Sequence, residues 1–323
     1  DNKITKIGPN LKIESSSIKP FIKKLNIGGF TLANNHIFDY GLEGIQSTRQ
    51  YLHKNSILEF GLTYSANKII IINEIKIAII NICENEYSTI NDNVNGLDLI
   101  KVHHEIKKIK DKCDHIVVIY HGGNEYLEIP SPNQINKFKY FVDIGADVIV
   151  SHHSHTISGF ESYNNKPIFY GLGNFLFQSE NTSDHWNRGM VVTLNISKSK
   201  IDYKLNFIKN KNGKLEILDN PSNDYKSIYN EVISINKIIL NEQLYSTAWN
   251  KYLVKKKEDY TKLISPVNSI DNKYIRKIFR ILEDFKILKF TRFYLTMLNL
   301  FRCESHKEIS EETLKYIYED RNS

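Results

Sequence analysis

Cysteine is scarce in this 323-residue chain, and the three present, Cys83, Cys113 and Cys303, are scattered. No pair has the spacing of a zinc knuckle, and no pattern suggests a disulfide framework. Cys83 and Cys113 lie in or beside apolar runs and read as small core residues. There is no apolar run of the roughly 20 residues that a membrane-crossing helix needs, and no signal sequence. The first residue is Asp1, so the expectation is that a segment ahead of it was removed or is missing from the sequence. No internal repeat is found. Tyr and Phe are plentiful but lack the spacing of a base-stacking platform, so nucleic acid is not the expected partner. Glycine and strand signals disappear beyond about residue 220, where the pattern turns helical.

What is present is ordinary in amount and uneven in placement. Apolar residues make up 41% and charged residues 25% of the chain, as in a typical globular protein. Between Lys251 and Arg302 thirteen Lys or Arg face five Asp or Glu, a local balance of +8; the chain total of +6 leaves −2 for the rest. A basic segment of this kind suits an acidic partner or an anionic membrane surface, or is a solvated helix face.

Strand and helix signals alternate over the first two-thirds. "KIIIINEIKIAIINIC" reads as a hairpin turning at Asn73 and Glu74. "HIVVIY" reads as a buried strand ending at His121, and "ADVIV" as another leading into His152. "SPNQINKFKYFVDIG" reads as a helix capped by Ser131 and stopped by Gly145. "IDYKLNFIKNKNGKLEIL" reads as a hairpin with Asn212-Gly213 at its turn. The alternation predicts a layered α/β domain over residues 1–220 and a helical extension over 221–323, divided near "DNPSND".

The chemistry-bearing residues gather where predicted strands end. "SHHSHT" follows the strand "GADVIV" and places His152, His153 and His155 in one turn. Neutral imidazole is a common metal ligand, although a His-rich polar turn would read the same way. "TLANNHIFDYG" adds Asn34, Asn35, His36 and Asp39; "VVIYHGGNEY" adds His121 and Glu125; "FYGLGNF" adds Asn174. Strand-end loops of one sheet converge on one edge, which is where open α/β sheets carry their sites.

Together with "GPNLK" at 8–12, these stretches resemble, in order, the CapA family of capsule or poly-γ-glutamate synthesis proteins. That family is a branch of the calcineurin-like metallophosphoesterase superfamily. The resemblance covers roughly residues 7–195. It implies a metallophosphoesterase-like β-sandwich flanked by helices. It implies Asn35, His121, His153 and His155 as metal ligands, with His152 in a glycine position of the superfamily motif. His36 would be the general acid and Asp39 its orienting partner. The implied cofactor is a pair of divalent metal ions, of Mn, Fe or Zn, clamping a phosphoryl group. Ahead of Asn35, however, the chain has neither the Gly-Asp nor the Asn-Leu-Glu of the family. Two close cations held by neutral groups repel, so weak metal binding is expected.

Further expectations attach to single residues. Glu125 is a candidate partner for His121, since a ligating histidine needs an acceptor. Asn174 and Arg188 are candidate substrate contacts, Arg188 with Asp184 and His185 in "SDHWNRG"; a guanidinium suits an anionic substrate. Two functions follow from the resemblance. One is hydrolysis of a phosphoester or related anionic substrate in surface-polymer synthesis. The other is a non-catalytic component that binds an acidic polymer or partner proteins. The expected compartment is the bacterial cell envelope or the cytoplasm. The tail "KYIRKIFRILEDFKILKFTRFYLTMLNLF" mixes cations with Ile278, Ile281, Leu282, Phe285, Leu288 and Leu295. Core packing accounts for it, and peripheral membrane contact is the sharper alternative; Arg292 argues against a span.

Overall fold

A computed structural model of the chain describes residues 3–6, 8–63, 67–85, 87–89, 93–177, 183–211, 214–285, 287, 290–302 and 314. Helix α1 (Ser15–Leu25), strand β1 (Gly29–Thr31), helix α2 (Gly41–Lys54) and strand β2 (Leu58–Phe60) come first. The central sheet is then built from β3 (Asn67–Ile72), β4 (Ile75–Cys83), β5 (His115–His121), β6 (Val148–His152), β7 (Phe160–Tyr163) and β8 (Lys166–Phe169). Its order is β3-β4-β5-β6-β8-β7. The inner strands β4, β5, β6 and β8 run parallel, and β3 and β7 close the edges antiparallel. Continuous runs such as "HIVVIY" suit a strand covered on both faces, and His115–Val118 are all buried. The β3–β4 hairpin turns at Asn73 (φ 48°) and Glu74 (φ 65°), the pair of positive φ values that a two-residue hairpin turn demands.

Both faces of this sheet are covered. Helices α3 (Leu99–Lys110) and α4 (Pro132–Ile144) pack Ile106, Phe138 and Phe141 on Ile80, Val118 and Ile149. Ser131 caps α4 by accepting from Gln134 N at 3.2 Å, and Gly145 ends it. On the other face lies a second sheet of β9 (Arg188–Ile196), β10 (Ile201–Lys211) and β11 (Lys214–Ile217), followed by α5 (Asn223–Leu240). Met190, Leu205 and Phe207 meet Val117, Val148 and Phe169 there, with Val232 of α5 joining them. The result is a β-sandwich flanked by helices, the α/β architecture expected. The β10–β11 pairing is antiparallel; the Asn212-Gly213 turn lies outside the described residues.

A third apolar cluster holds the loop that carries Asn34–Asp39. β1 pairs parallel with β2, and Leu32, Ala33 and Phe38 pack on Ile45, Leu52, Leu62 and Cys83. One buried amide fastens this cluster to the main sheet. Asn81 of β4 accepts from Ala33 N (2.8 Å) and donates to Ile119 O of β5 (3.1 Å). Gly61, at φ 93°, lies against it; a Cβ there would fall 2.1 Å from Asn81 Oδ1, so no side chain fits.

The chain divides into two compact units, Asp1–Trp249 and Asn250–Ser323. From α5 onward the elements among the described residues are helices. Helix α6 (Glu242–Ile264) runs from the first unit into the second, which also holds α7 (Lys273–Asp284) and α8 (Thr291–Arg302). Among the described residues no helix is long and apolar enough to cross a membrane.

Because Asn81 is 1% exposed and serves the buried Ala33 N and the half-buried Ile119 O, Asn81→Ala should cost about 1–3 kcal/mol, chiefly for the amide left without a partner. Urea unfolding of the variant measures it. An unchanged midpoint would mean that other groups hold the Asn34–Asp39 loop.

Candidate metal and proton-transfer site

The parallel strands end in register: Cys83 pairs with His121, and His121 with His152. The chain leaves β6 through a turn that L-residues adopt reluctantly. His153 has φ 99° and His155 φ 56°, while Tyr126 in the neighbouring loop has φ 61°. Each such position costs of order 1–3 kcal/mol, and such strain clusters at functional sites. The turn is braced from within: Ser154 Oγ donates to Thr156 O (2.9 Å), and Tyr126 N donates to Ser154 O (2.8 Å).

Three potential ligand atoms meet in front of this edge. Asn35 Oδ1 lies 3.0 Å from His121 Nε2, which lies 3.2 Å from His153 Nδ1. The rings of His153 and His155 follow at 6.2 Å between centroids. The structure thus brings Asn35, His121 and His153 to one point, with His155 beside them. Burial, first of all, holds His121 well below the ordinary imidazole range; neighbouring His153, His152, His36 and His155 add to the effect. His121 is therefore neutral near pH 7, as a ligand must be.

The donor set fits a cation. A first-row metal bonded at 2.0–2.2 Å keeps its ligand atoms about 3.3–3.6 Å apart in a tetrahedron, so the observed spacing needs to open only by tenths of an ångström. The group reaches three donors only through the Asn35 amide: among the described residues, no three His, Cys, Asp or Glu side chains are grouped to hold a metal. Glu125 approaches the far nitrogen of His153, Nε2, at 3.8 Å; it faces His153, not His121.

His36 and Asp39 form a separate pair. Asp39 Oδ2 lies 2.7 Å from His36 Nδ1 and also accepts from Leu11 N at 2.7 Å. Asp39 Oδ1 is paired with the buried ammonium of Lys6, whose Nζ lies 3.2 Å from His36 Nδ1. Asn10 Nδ2 donates to the Asp39 carbonyl at 2.9 Å. The segment carrying "GPNLK" thus wraps Asp39, and Asp39 orients His36 so that Nε2 is its free nitrogen.

Asn174 and Arg188 are engaged inside the protein. Asn174 Oδ1 lies 2.8 Å from His155 Nδ1, and its Nδ2 donates to Trp186 O at 2.9 Å. This leaves Nε2 of His155 free, the tautomer-setting role that an acceptor plays beside a ligating histidine. Arg188, 6% exposed, bonds Glu231 and Asp184, each at 2.9 Å; His185 Nδ1 lies 3.4 Å from its guanidinium. Sequence reasoning missed Lys6, which gave no motif signal. It also missed the ring stack on His155: Trp186 lies 4.7 Å from it at 25°, with Tyr126 stacked on both.

Comparison with known proteins bears on this site. A family model described as "Bacterial capsule synthesis protein PGA_cap" matches residues 2–179, more than half of the chain. The capsule biosynthesis protein CapA of Bacillus anthracis is 33% identical over 186 residues, 51% of this chain and 44% of that protein. The PGA biosynthesis protein CapA of Bacillus subtilis (strain 168) is 32% identical over 179 residues, 52% of this chain and 47% of that protein. The chain therefore spans less than half the length of these curated relatives. A looser likeness, TM-score 0.42 at 16% identity over 68% of this chain and 45% of the other, is to a Staphylococcus aureus crystal structure named as a 5′-nucleotidase; it carries no functional weight.

Burial pushes His152 down to about 4 from 6.5. Between those values the unfolded chain binds more protons than the folded one, so stability should fall as pH drops through this window. With chelator present, His152→Gln should flatten part of that loss in urea titrations at pH 7, 5.5 and about 4. An identical slope in both proteins would show that His152 charges without cost.

Proposed function

The chain belongs to the PGA_cap family of bacterial capsule synthesis proteins, and from that membership we propose that it acts in the synthesis of a surface polymer, as a metal-assisted hydrolase of a phosphoester or related anionic bond. The convergence of Asn35 Oδ1, His121 Nε2 and His153 Nδ1 within 3.0–3.2 Å steps, near the His36–Asp39 pair, carries this reading. Asn35, His121 and His153 would hold a divalent cation, Mn, Fe or Zn, and His155 would serve a second. A cation so bound supplies Lewis acidity toward a phosphoryl oxygen and lowers the pKa of a bound water.

The chain's own residues supply the rest. Asp39 accepts from His36 Nδ1, fixes the ring, and stabilises its protonated form. His36 Nε2–H then donates to the leaving oxygen as the bond breaks. Lys6 offsets the charge of Asp39, which keeps the carboxylate from holding the imidazolium proton too tightly. Asn174 keeps His155 presenting Nε2. The site is proposed to work at the bacterial cell envelope, on an anionic small molecule or an acidic polymer.

His36→Ala should cut turnover roughly 10²–10⁴-fold while metal content is kept, and the loss should shrink for bis(4-nitrophenyl) phosphate relative to an alkyl phosphodiester. His121→Ala and His153→Ala should lose metal and turnover together; His152→Ala should keep its metal. Mass spectrometry of the native proteins with paired rate assays reads both quantities. Equal metal loss in His36→Ala and His121→Ala would remove the acid role from His36. An intact wild type with no metal-dependent turnover over a broad phosphoester panel would favour the polymer-binding alternative.

A further inference from the structure

The residue that follows β4 is charged: Glu84. By strand alternation it follows Ile80 and Ile82 toward the face covered by α3 and α4, while His121 follows Val117 and Ile119 to the opposite face. The carboxylate and the imidazole therefore stand on opposite sides of one sheet edge. A half-buried carboxylate needs partners, and those of Glu84 lie in the turn that carries His121 and on α4.

Glu84 holds the turn after His121 at both ends. Its backbone N donates to His121 O at 2.9 Å, and its Oε2 accepts from Gly123 N at 2.9 Å. Gly123 has φ 105°, a left-handed bend that glycine adopts freely. Gly122 lets the carboxylate come close: a Cβ there would fall 2.7 Å from Glu84 Cβ and 2.9 Å from its Oε2. Gly122 N donates to His152 O at 3.1 Å, so the clasped turn is also joined to the strand that leads into His153.

The charge of the acceptor has a counterpart on α4. Lys137 is 8% exposed; its Nζ donates to Tyr120 OH at 3.1 Å and lies 5.0 Å from the centroid of that ring. Burial holds this lysine below its ordinary range, and the charge of Glu84 opposes that shift. Glu84 thus has two separable tasks. Its oxygen satisfies Gly123 N, and its charge favours the buried ammonium.

We propose that Glu84 is a positioning residue for His121. By clasping the carbonyl of His121 and the amide of Gly123, it sets where His121 Nε2 stands relative to His153 Nδ1, and it does so from the face of the sheet away from the site. The inference rests on the reading of Asn35, His121 and His153 as a metal site. The two nitrogens are 3.2 Å apart, and a site of this kind must hold its groups to within about 0.5 Å. A turn that ends in two glycines cannot supply that precision by itself, because glycine restricts the backbone least. The carboxylate bond to Gly123 N removes that freedom.

The test compares Glu84→Gln with Glu84→Ala in the whole chain. Gln keeps an oxygen for Gly123 N and loses the charge; Ala loses both. Both variants should lower the urea midpoint, since each removes the charge that favours the Lys137 ammonium. Glu84→Ala alone should weaken Mn²⁺ binding, read from the electron paramagnetic resonance of free Mn²⁺, by about tenfold, the lower end of what partners of metal ligands contribute. In metal-free protein, exchange of the Gly123 amide should quicken in Glu84→Ala and not in Glu84→Gln. The nuclear Overhauser effect between the rings of His121 and His153, whose centroids are 5.0 Å apart, should weaken in Glu84→Ala alone. Mn²⁺ affinity that falls equally in both variants, following stability, would overturn the proposal. So would an unchanged Overhauser effect in Glu84→Ala. A wild type that binds no Mn²⁺ would count against the metal reading alone; the metal-free exchange and Overhauser measurements would still decide whether Glu84 holds His121.

Discussion

The site depends on the shared register of β4, β5 and β6. Because Cys83, His121 and His152 stand side by side, three strand-end loops start from one line and open on one edge. A slip of one residue would turn His121 to the opposite face of the sheet. Nothing local to the histidines prevents that slip. The apolar residues on both faces do: Val118 and Ile149 pack toward α3 and α4, and Val117 and Val148 toward the second sheet. With both faces covered, either shift would place the wrong side chains in two cores at once. The chemistry of the edge thus rests on the packing of residues that take no part in it.

A second fastening brings the fourth loop to that line. Asn35 and His36 belong to a cluster whose own sheet is two strands wide, too small to hold a loop at ångström precision alone. Asn81 joins it to β4 and β5, and Asp39 is gripped by Lys6, Leu11 and Asn10. Buried polar groups are costly unless paired. Here each serves two or more partners, so the same contacts that satisfy it also position the proton donor.

Much of this was legible from residue pattern, and the limits have physical causes. The hairpin at Asn73-Glu74, the caps Ser131 and Gly145, and the buried runs of β5 and β6 are local signals of backbone conformation and solvent exclusion. The gathering of strand-end loops followed from parallel topology. Side-chain engagement was not legible. Asn174 and Arg188 read as candidate substrate contacts; Asn174 is held by Trp186, 12 residues away, and Arg188, besides the local Asp184, by Glu231, 43 residues away, which no local pattern reports. Lys6 carried no motif signal, because the carboxylate it pairs with, Asp39, stands 33 positions further on. The stack of Trp186 and Tyr126 on His155 joins three loops and is likewise a tertiary fact.

The two ends of the molecule solve opposite problems with the same residue types. In the α/β unit, charge is brought inside and neutralised, as where the buried Lys6 meets the buried Asp39. Removing water there raises the worth of each contact and fixes ring orientation. In the second unit, α7 keeps Arg280 and Glu283 inward and leaves aliphatic and aromatic side chains outward. Exposed apolar area of that kind is unfavourable in water, so the two units spend the same residue types on opposite sides of their surfaces.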